Sequence, residues 1–110
     1  MPKHQEQIDG QKFYALRHLP PAGKRPVVLV SRNEAYKIRD LITIAPVTSR
    51  IRGIPTEVEL NTKDGLPRRC VVNCDNLTTI PKAWLEKRIV ALNPAKVQQL
   101  DMGIKFALDL

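Results

Sequence analysis

Short apolar segments broken by turn formers run through most of this chain, and they read as strands. Gln11 to Arg17 alternates well enough for a first strand, and Pro20-Pro21-Ala22-Gly23 is a turn-rich connection. Val27 to Ser31 is a continuous apolar run, the pattern of a central strand covered on both faces. Asn33 to Arg39 reads as a short helix or turn, and Leu41 to Val47 as a third strand. Arg52-Gly53-Ile54-Pro55 is a break, after which Thr56 to Leu60 alternates as a half-exposed strand does. Asn61 to Gly65 is a turn in which Gly65 can take a positive φ. Cys70 to Asn73 is another short strand. Pro81 to Lys87 reads as a helical turn entered from Thr79, with Pro81 near its first position. Trp84 within it is read as a packing anchor, and Arg88 to Leu92 as a last strand.

The period changes at the end. Asn93 is an N-cap residue and Pro94 suits the first helical position. Val97, Leu100, Ile104, Ala107 and Leu108 then share one helical face, which is expected to pack on the sheet and to continue into a dimer contact. Many short strands with helices placed late predict a mainly β, α+β fold: a small, strongly bent antiparallel sheet or partial barrel closed by a C-terminal helix.

Size and composition narrow the class. At 110 residues the chain is expected to be one domain, with a flexible start over residues 1–9. With 43% hydrophobic residues it can build a core, and with 5% aromatic residues it cannot rely on aromatic stacking to hold nucleic acid. No apolar run approaches the roughly 20 residues a bilayer span needs, and the first residues lack the apolar stretch of a signal peptide. A cytoplasmic location and no membrane partner are therefore expected. Cys70 and Cys74 are expected to stay reduced there. With only these two cysteines and the histidines His4 and His18, no metal site and no cofactor are expected.

Charge sharpens the picture. The net charge is +7, and from Lys24 to Arg52 seven basic residues face only Glu34 and Asp40. That concentration favours a polyanion, either nucleic acid or an acidic protein segment. Within it, the run ending Pro46-Val47-Thr48-Ser49-Arg50 delivers two hydroxyls and a guanidinium where a buried strand reaches solvent. Lys24-Arg25-Pro26 does the same at a strand start. Arginines and a threonine at strand ends are suitable groups to place around a phosphodiester.

Five segments in order carry a family resemblance. They are Arg25-Pro-Val followed by Ala45-Pro-Val-Thr-Ser-Arg-Ile-Arg-Gly-Ile-Pro-Thr-Glu-Val58; Gly65-Leu-Pro67; Val71-Val-Asn-Cys-Asp-Asn-Leu-Thr-Thr-Ile80; Leu85-Glu-Lys-Arg-Ile-Val-Ala-Leu92; and Phe106-Ala-Leu-Asp-Leu110. Together they resemble the MazF/PemK family of toxin endoribonucleases over nearly the whole chain from Gly10. The resemblance implies an SH3-like barrel of the CcdB/PemK type with a C-terminal helix, working as a homodimer. It implies metal-independent, sequence-selective cleavage of single-stranded RNA, with the ribose 2′-hydroxyl attacking the adjacent phosphorus. It also implies a cognate antitoxin whose acidic, flexible tail covers the active groove.

The same resemblance assigns residues. Arg25 and Thr48 stand at the family's active-site positions, and Asp75 at the aspartate of the plasmid Kid/PemK branch. Lys24, Ser49, Arg50, Arg52, Asn73 and His18 are expected to hold RNA, Arg50 and Arg52 through the backbone. Asp75 has a plainer reading as a turn cap. Two departures stand out: Asn73 replaces an arginine of the Kid/PemK branch, and the first loop lacks its glutamate. Two alternatives compete. One is a gyrase-poisoning toxin of the CcdB type, disfavoured because the chain ends Ala107-Leu-Asp-Leu110 and not Trp-Gly-Ile. The other is a basic barrel that binds RNA without cutting it.

Overall fold

Residues 7–8, 11–12, 15–19, 25–30, 38–85 and 88–110 are described by a computed structural model. In chain order the strands are β1 (Gln7–Ile8), β2 (Gln11–Lys12), β3 (Ala15–Leu19), β4 (Arg25–Leu29), β5 (Leu41–Thr48), β6 (Glu57–Leu60), β7 (Cys70–Asn73), β8 (Thr78–Pro81) and β9 (Arg88–Ala91), followed by helix α1 (Pro94–Leu108). Strands β1 and β2 pair with each other, and the main sheet runs β6-β7-β5-β4-β3-β9 with β8 also joined to β5. Every pairing among the described residues is antiparallel.

Strand β5 is the spine of this arrangement. One edge pairs with β4, Val27 facing Pro46 and Leu29 facing Ile44. The other edge is shared in series. Leu41 to Ile44 pair with β8, and Val47 and Thr48 pair with β7. Pro46 stands at the changeover, where a residue without an amide hydrogen interrupts a ladder least. The end of β5 then leads through the half-buried Thr48 into exposed residues.

Alternation along the strands gives the sheet two buried faces. Val28, Ala45, Val47, Val58, Leu60 and Val72 lie on one, packed with Val97 and Leu100 of α1. Val27, Leu29, Ile42, Ile44 and Ile80 form a second cluster on the other. This two-sided burial is what the continuous apolar run 27–29 of β4 and the largely apolar β5 require.

Helix α1 begins as its sequence dictates. Asn93 Oδ1 accepts from the Lys96 amide at 2.9 Å, and Pro94 occupies the first turn. Lys96 Nζ reaches across to the Glu59 carbonyl at 2.6 Å, tying the helix start to β6. The buried face differs from the predicted one at its end. Val97, Leu100 and Gly103 are buried, whereas Leu108 is 53% exposed. Ile104 and Ala107 of the expected face are partly buried and pack against the same cluster, so only Leu108 departs from it, and at Gly103 the helix lies close to Cys74 and Val58. A Cβ added there would lie 3.1 Å from Cys74 Sγ and 3.5 Å from Val58 Cγ2. Gly103→Val, which adds a branched side chain at that contact, is expected to destabilise the chain by about 1–3 kcal/mol. Chemical denaturation of the two proteins measures this directly.

Three predicted elements change. The first strand is divided between β2 and β3, since β2 pairs with β1 (Ile8 facing Gln11) and not with the main sheet. The flexible start expected over residues 1–9 therefore contains the short strand β1, and its other residues lie outside the described ones, as does most of the helix or turn expected over Asn33–Arg39. Pro81 both closes β8 opposite Leu41 and is the N-cap of the helical turn that follows, while Thr79 is a strand residue facing Thr43. The turn that follows is a 3-10 segment of Lys82–Trp84, and Trp84 is 53% exposed, not a buried anchor. Ladder pairing with β5 holds the chain extended through Pro81, so the turn starts one residue later than expected.

Candidate functional site

Cross-strand rows place the polar end of β5. Thr48 faces Val71, which faces Glu59, and Asn73 faces Glu57 one row along the same side of the sheet. This side is opposite to α1, because the intervening Val47, Val58 and Val72 point into the core under the helix. Pro46, two residues before Thr48, faces Val27 on β4. Arg25, two residues before Val27, thus occupies the matching alternation row, and continuing the register brings it level with Thr48. On its other side Arg25 faces Leu19, and His18 faces Pro26. Backbone register therefore brings Arg25 level with Thr48 at one end of the sheet, whereas His18, facing Pro26, stands in the next row, the one of opposite alternation. Lys24 lies outside the described residues.

After Thr48 the chain turns into an exposed loop that carries Ser49, Arg50 and Arg52. Its shape is fixed by side chains. Thr48 Oγ1 accepts from the Arg50 amide at 3.1 Å, a hydroxyl-capped turn. This bond uses an oxygen lone pair, so the hydroxyl hydrogen is still able to donate to a phosphate oxygen. Glu57 Oε1 accepts from two consecutive amides, Arg52 at 2.9 Å and Gly53 at 2.8 Å. Gly53 has φ +73°, a left-handed conformation in which a side chain is strained. The Glu57 amide returns to the Ile54 carbonyl at 3.0 Å and closes the loop.

A second set of bonds joins this loop to the turn after β7. Thr56, 5% exposed, donates from Oγ1 to Asp75 Oδ2 at 2.5 Å. Its carbonyl accepts from the Cys74 amide at 2.9 Å. Asn73 Oδ1 accepts from the Asp75 amide at 2.9 Å and so caps the 3-10 turn Cys74–Asn76. The cap at this turn is thus Asn73, not Asp75. An arginine at position 73 has no acceptor and cannot make this bond, which gives the departure at Asn73 a structural content. Cys74 is buried, and burial, with the neighbouring Asp75 charge, pushes its thiol up to about 11. At neutral pH it stays a protonated thiol, a small packing residue and a poor nucleophile.

The sequence-based residues therefore separate. Thr48, Ser49, Arg50 and Arg52 lie on one continuous strand end and loop, with Arg25 level with Thr48 by register; His18, opposite Pro26, falls in the neighbouring row and is not brought together with them. Asn73 and Asp75 lie on the turn that braces the far side of the same loop. Two contributors were missed, Thr56 and Glu57. Their signal was present: a threonine and an acid directly after a Gly-Ile-Pro break, positioned to cap it. Among the described residues no three His, Cys, Asp or Glu side chains come together as a metal-ligand group. No helix among them is long and apolar enough to cross a membrane.

An exposed basic loop at the end of a strand, with a hydroxyl at its root and an arginine level with it by register, is equipped to hold a phosphodiester. Comparison with known proteins gives this arrangement its class. The family model of the PemK-like, MazF-like toxin of type II toxin-antitoxin systems matches residues 11–108, and the chain belongs to that family. It is 36% identical over 86 residues to endoribonuclease MazF3 of Mycobacterium tuberculosis, covering 78% of this chain and 84% of that protein. Among solved structures it is similar to the Mycobacterium tuberculosis toxin MazF-mt6, with a TM-score of 0.81 and 32% identity over 87% of this chain and 97% of the other. An endoribonuclease in complex with its cognate antitoxin from a mycobacterial species superposes with a TM-score of 0.76 at 27% identity, covering 88% of this chain and 92% of that one. The fold is also that of MazF in the MazE-MazF complex of Deinococcus radiodurans, with a TM-score of 0.74. The SH3-like, α+β expectation holds, and membership of this family sets aside the gyrase-poisoning alternative.

Proposed function

We propose that this chain, a type II toxin, is an endoribonuclease that cuts single-stranded RNA by attack of a ribose 2′-hydroxyl on the adjacent phosphorus, without a metal ion. The observation that carries the reading is the solvent-reaching end of β5, where Thr48 and the Arg50–Arg52 loop stand level with Arg25. RNA brings its own nucleophile to this reaction. What the protein must add is a proton acceptor for the 2′-hydroxyl, a donor for the leaving 5′-oxygen, and positive charge for the phosphorane. Arg25 supplies the charge, since a guanidinium clamps two phosphate oxygens and does not give up its proton near neutrality. The Thr48 hydroxyl donates to a phosphate oxygen or relays a proton. His18, on β3 one row from Arg25, is a residue type whose ordinary range spans neutral pH.

Asp75 takes a different part in this reading. Its carboxylate is bonded to Thr56, and along β7 its turn lies beyond Asn73, away from the Val71 row that faces Thr48. We assign it to bracing the loop. Arg50 and Arg52, both exposed, hold the RNA backbone with Lys24 and Ser49. Removing either arginine is expected to weaken binding and to flatten its dependence on log salt by about 0.7 per lost phosphate contact. Fluorescence anisotropy across a salt series measures the slope.

The partners follow from the same charge. A cognate antitoxin with an acidic, flexible tail competes with RNA for the net positive stretch between Lys24 and Arg52. A homodimer sets two such stretches along one groove and covers apolar side chains that α1 leaves outside, Met102 and Phe106 among them. Incubation of purified protein with long single-stranded RNA, with and without excess chelator, tests the reading. The expected result is the same fragment pattern in both lanes; RNA bound but intact in both would instead mark a non-catalytic binding barrel.

A further inference from the structure

Glu57 is an acid placed inside a basic surface, and its charge works against RNA binding. Its geometry accounts for it. One carboxylate oxygen receives the amides of Arg52 and Gly53 at 2.9 and 2.8 Å. Those amides belong to the stretch that presents Arg50 and Arg52, and Gly53 adopts its left-handed φ at the same point. The backbone of Glu57 is itself fixed in β6 opposite Asn73, and its neighbour Thr56 is bonded to Asp75 and to the Cys74 amide. The carboxylate thus reaches from a rigid strand into an exposed loop and pins it by two charge-assisted bonds.

We infer that Glu57 is a positioning residue for RNA: it holds the 50–53 loop in one shape, so that Arg50 and Arg52 meet the phosphates without a prior ordering cost. The inference rests on the proposed reading of this loop as the RNA-holding element. Ordering a floppy loop at the moment of binding subtracts from affinity, and a pre-shaped loop avoids that loss. Two features separate this role from the alternatives. An acceptor at the Glu57 Oε1 position is required, so the amide oxygen of glutamine serves. A negative charge alone is not enough, so the shorter aspartate, drawn back by one methylene, fails.

The test uses Glu57→Gln, Glu57→Asp and Glu57→Ala in the full chain. Three quantities are read: the affinity for a 2′-O-methylated, uncleavable RNA, the cleavage kcat and KM, and hydrogen exchange at the Arg52 and Gly53 amides. The alanine and aspartate variants are expected to bind RNA roughly tenfold more weakly, with kcat within about twofold of the parent. Their Arg52 and Gly53 amides exchange faster while the β7 amides are unchanged. The glutamine variant binds as tightly as the parent or tighter, because it keeps the acceptor and loses a repulsive charge. A dead glutamine variant would assign Glu57 to proton transfer and overturn the inference. So would an aspartate variant equal to the parent, or alanine amides that exchange no faster. A parent that neither binds nor cuts RNA overturns the function itself and the RNA half of this inference, whereas a parent that cuts normally beside an unaffected alanine variant overturns the inference alone.

Discussion

Arg25→Ala is expected to lower the rate of RNA cleavage by roughly two to three orders of magnitude, the loss that follows removal of one donor to a charge-developing transition state, about 2.7–4 kcal/mol. The position is set by register: β4 runs antiparallel to β5, Val27 faces Pro46, and Arg25 comes level with Thr48, just before β5 runs into the exposed loop. The effect is expected in kcat more than in KM, because the phosphorane gains more from the guanidinium than the ground-state phosphodiester does. Single-turnover cleavage beside a denaturation curve for each protein separates chemistry from folding. Arg25→Lys is expected to recover only part of the rate, since an ammonium cannot reproduce the two parallel donors. Cleavage at the parental rate by a folded alanine variant would move the chemistry away from β4.

The largest effect on stability is expected at Leu100. It is fully buried at the centre of the cluster that joins α1 to Val28, Ala45, Val58, Leu60 and Val72. Truncation to alanine removes buried methylenes and leaves a cavity between helix and sheet, with an expected cost of about 2–5 kcal/mol. A small domain holds only about 5–15 kcal/mol in all, so a substantial fraction of the molecules unfolds well below the parental midpoint. Urea denaturation followed by circular dichroism measures the shift. Phe106→Ala, on the outer side of the same helix where the residue is 63% exposed, is expected to leave the midpoint of the monomer nearly unchanged.

What was legible in the sequence follows from how local each signal is. Asn93-Pro94 announced the start of α1, because a cap and a first-turn proline act within one turn. The apolar runs of β4 and β5 announced central strands, because burial on both faces leaves no polar alternation. Pro81 was half legible: it caps a short helical turn, but its pairing with Leu41 and that of Thr79 with Thr43 depend on a distant strand. Leu108 misled for a related reason, as helical periodicity gives a direction but not the length of contact with the sheet. At the site, the strand end bearing Thr48 and Arg50 was readable. The bracing was not, because the bond from Thr56 to Asp75 joins residues 19 apart and only the fold brings them together. Asn73 read as the loss of an arginine; in the fold it is an acceptor that caps a turn.

The chemistry at the RNA ends tests the account most directly. If a ribose 2′-hydroxyl is the nucleophile and the P–O5′ bond is the one broken, each cut leaves a 2′,3′-cyclic phosphate, or the monophosphate from its later opening, on one fragment and a free 5′-hydroxyl on the other. Digestion of a long single-stranded RNA in excess chelator, followed by end labelling with polynucleotide kinase, reads this out. The expected result is fragments that accept a 5′ label without prior dephosphorylation. Fragments that carry 5′-phosphates and free 3′-hydroxyls would contradict it, because they require water as the nucleophile.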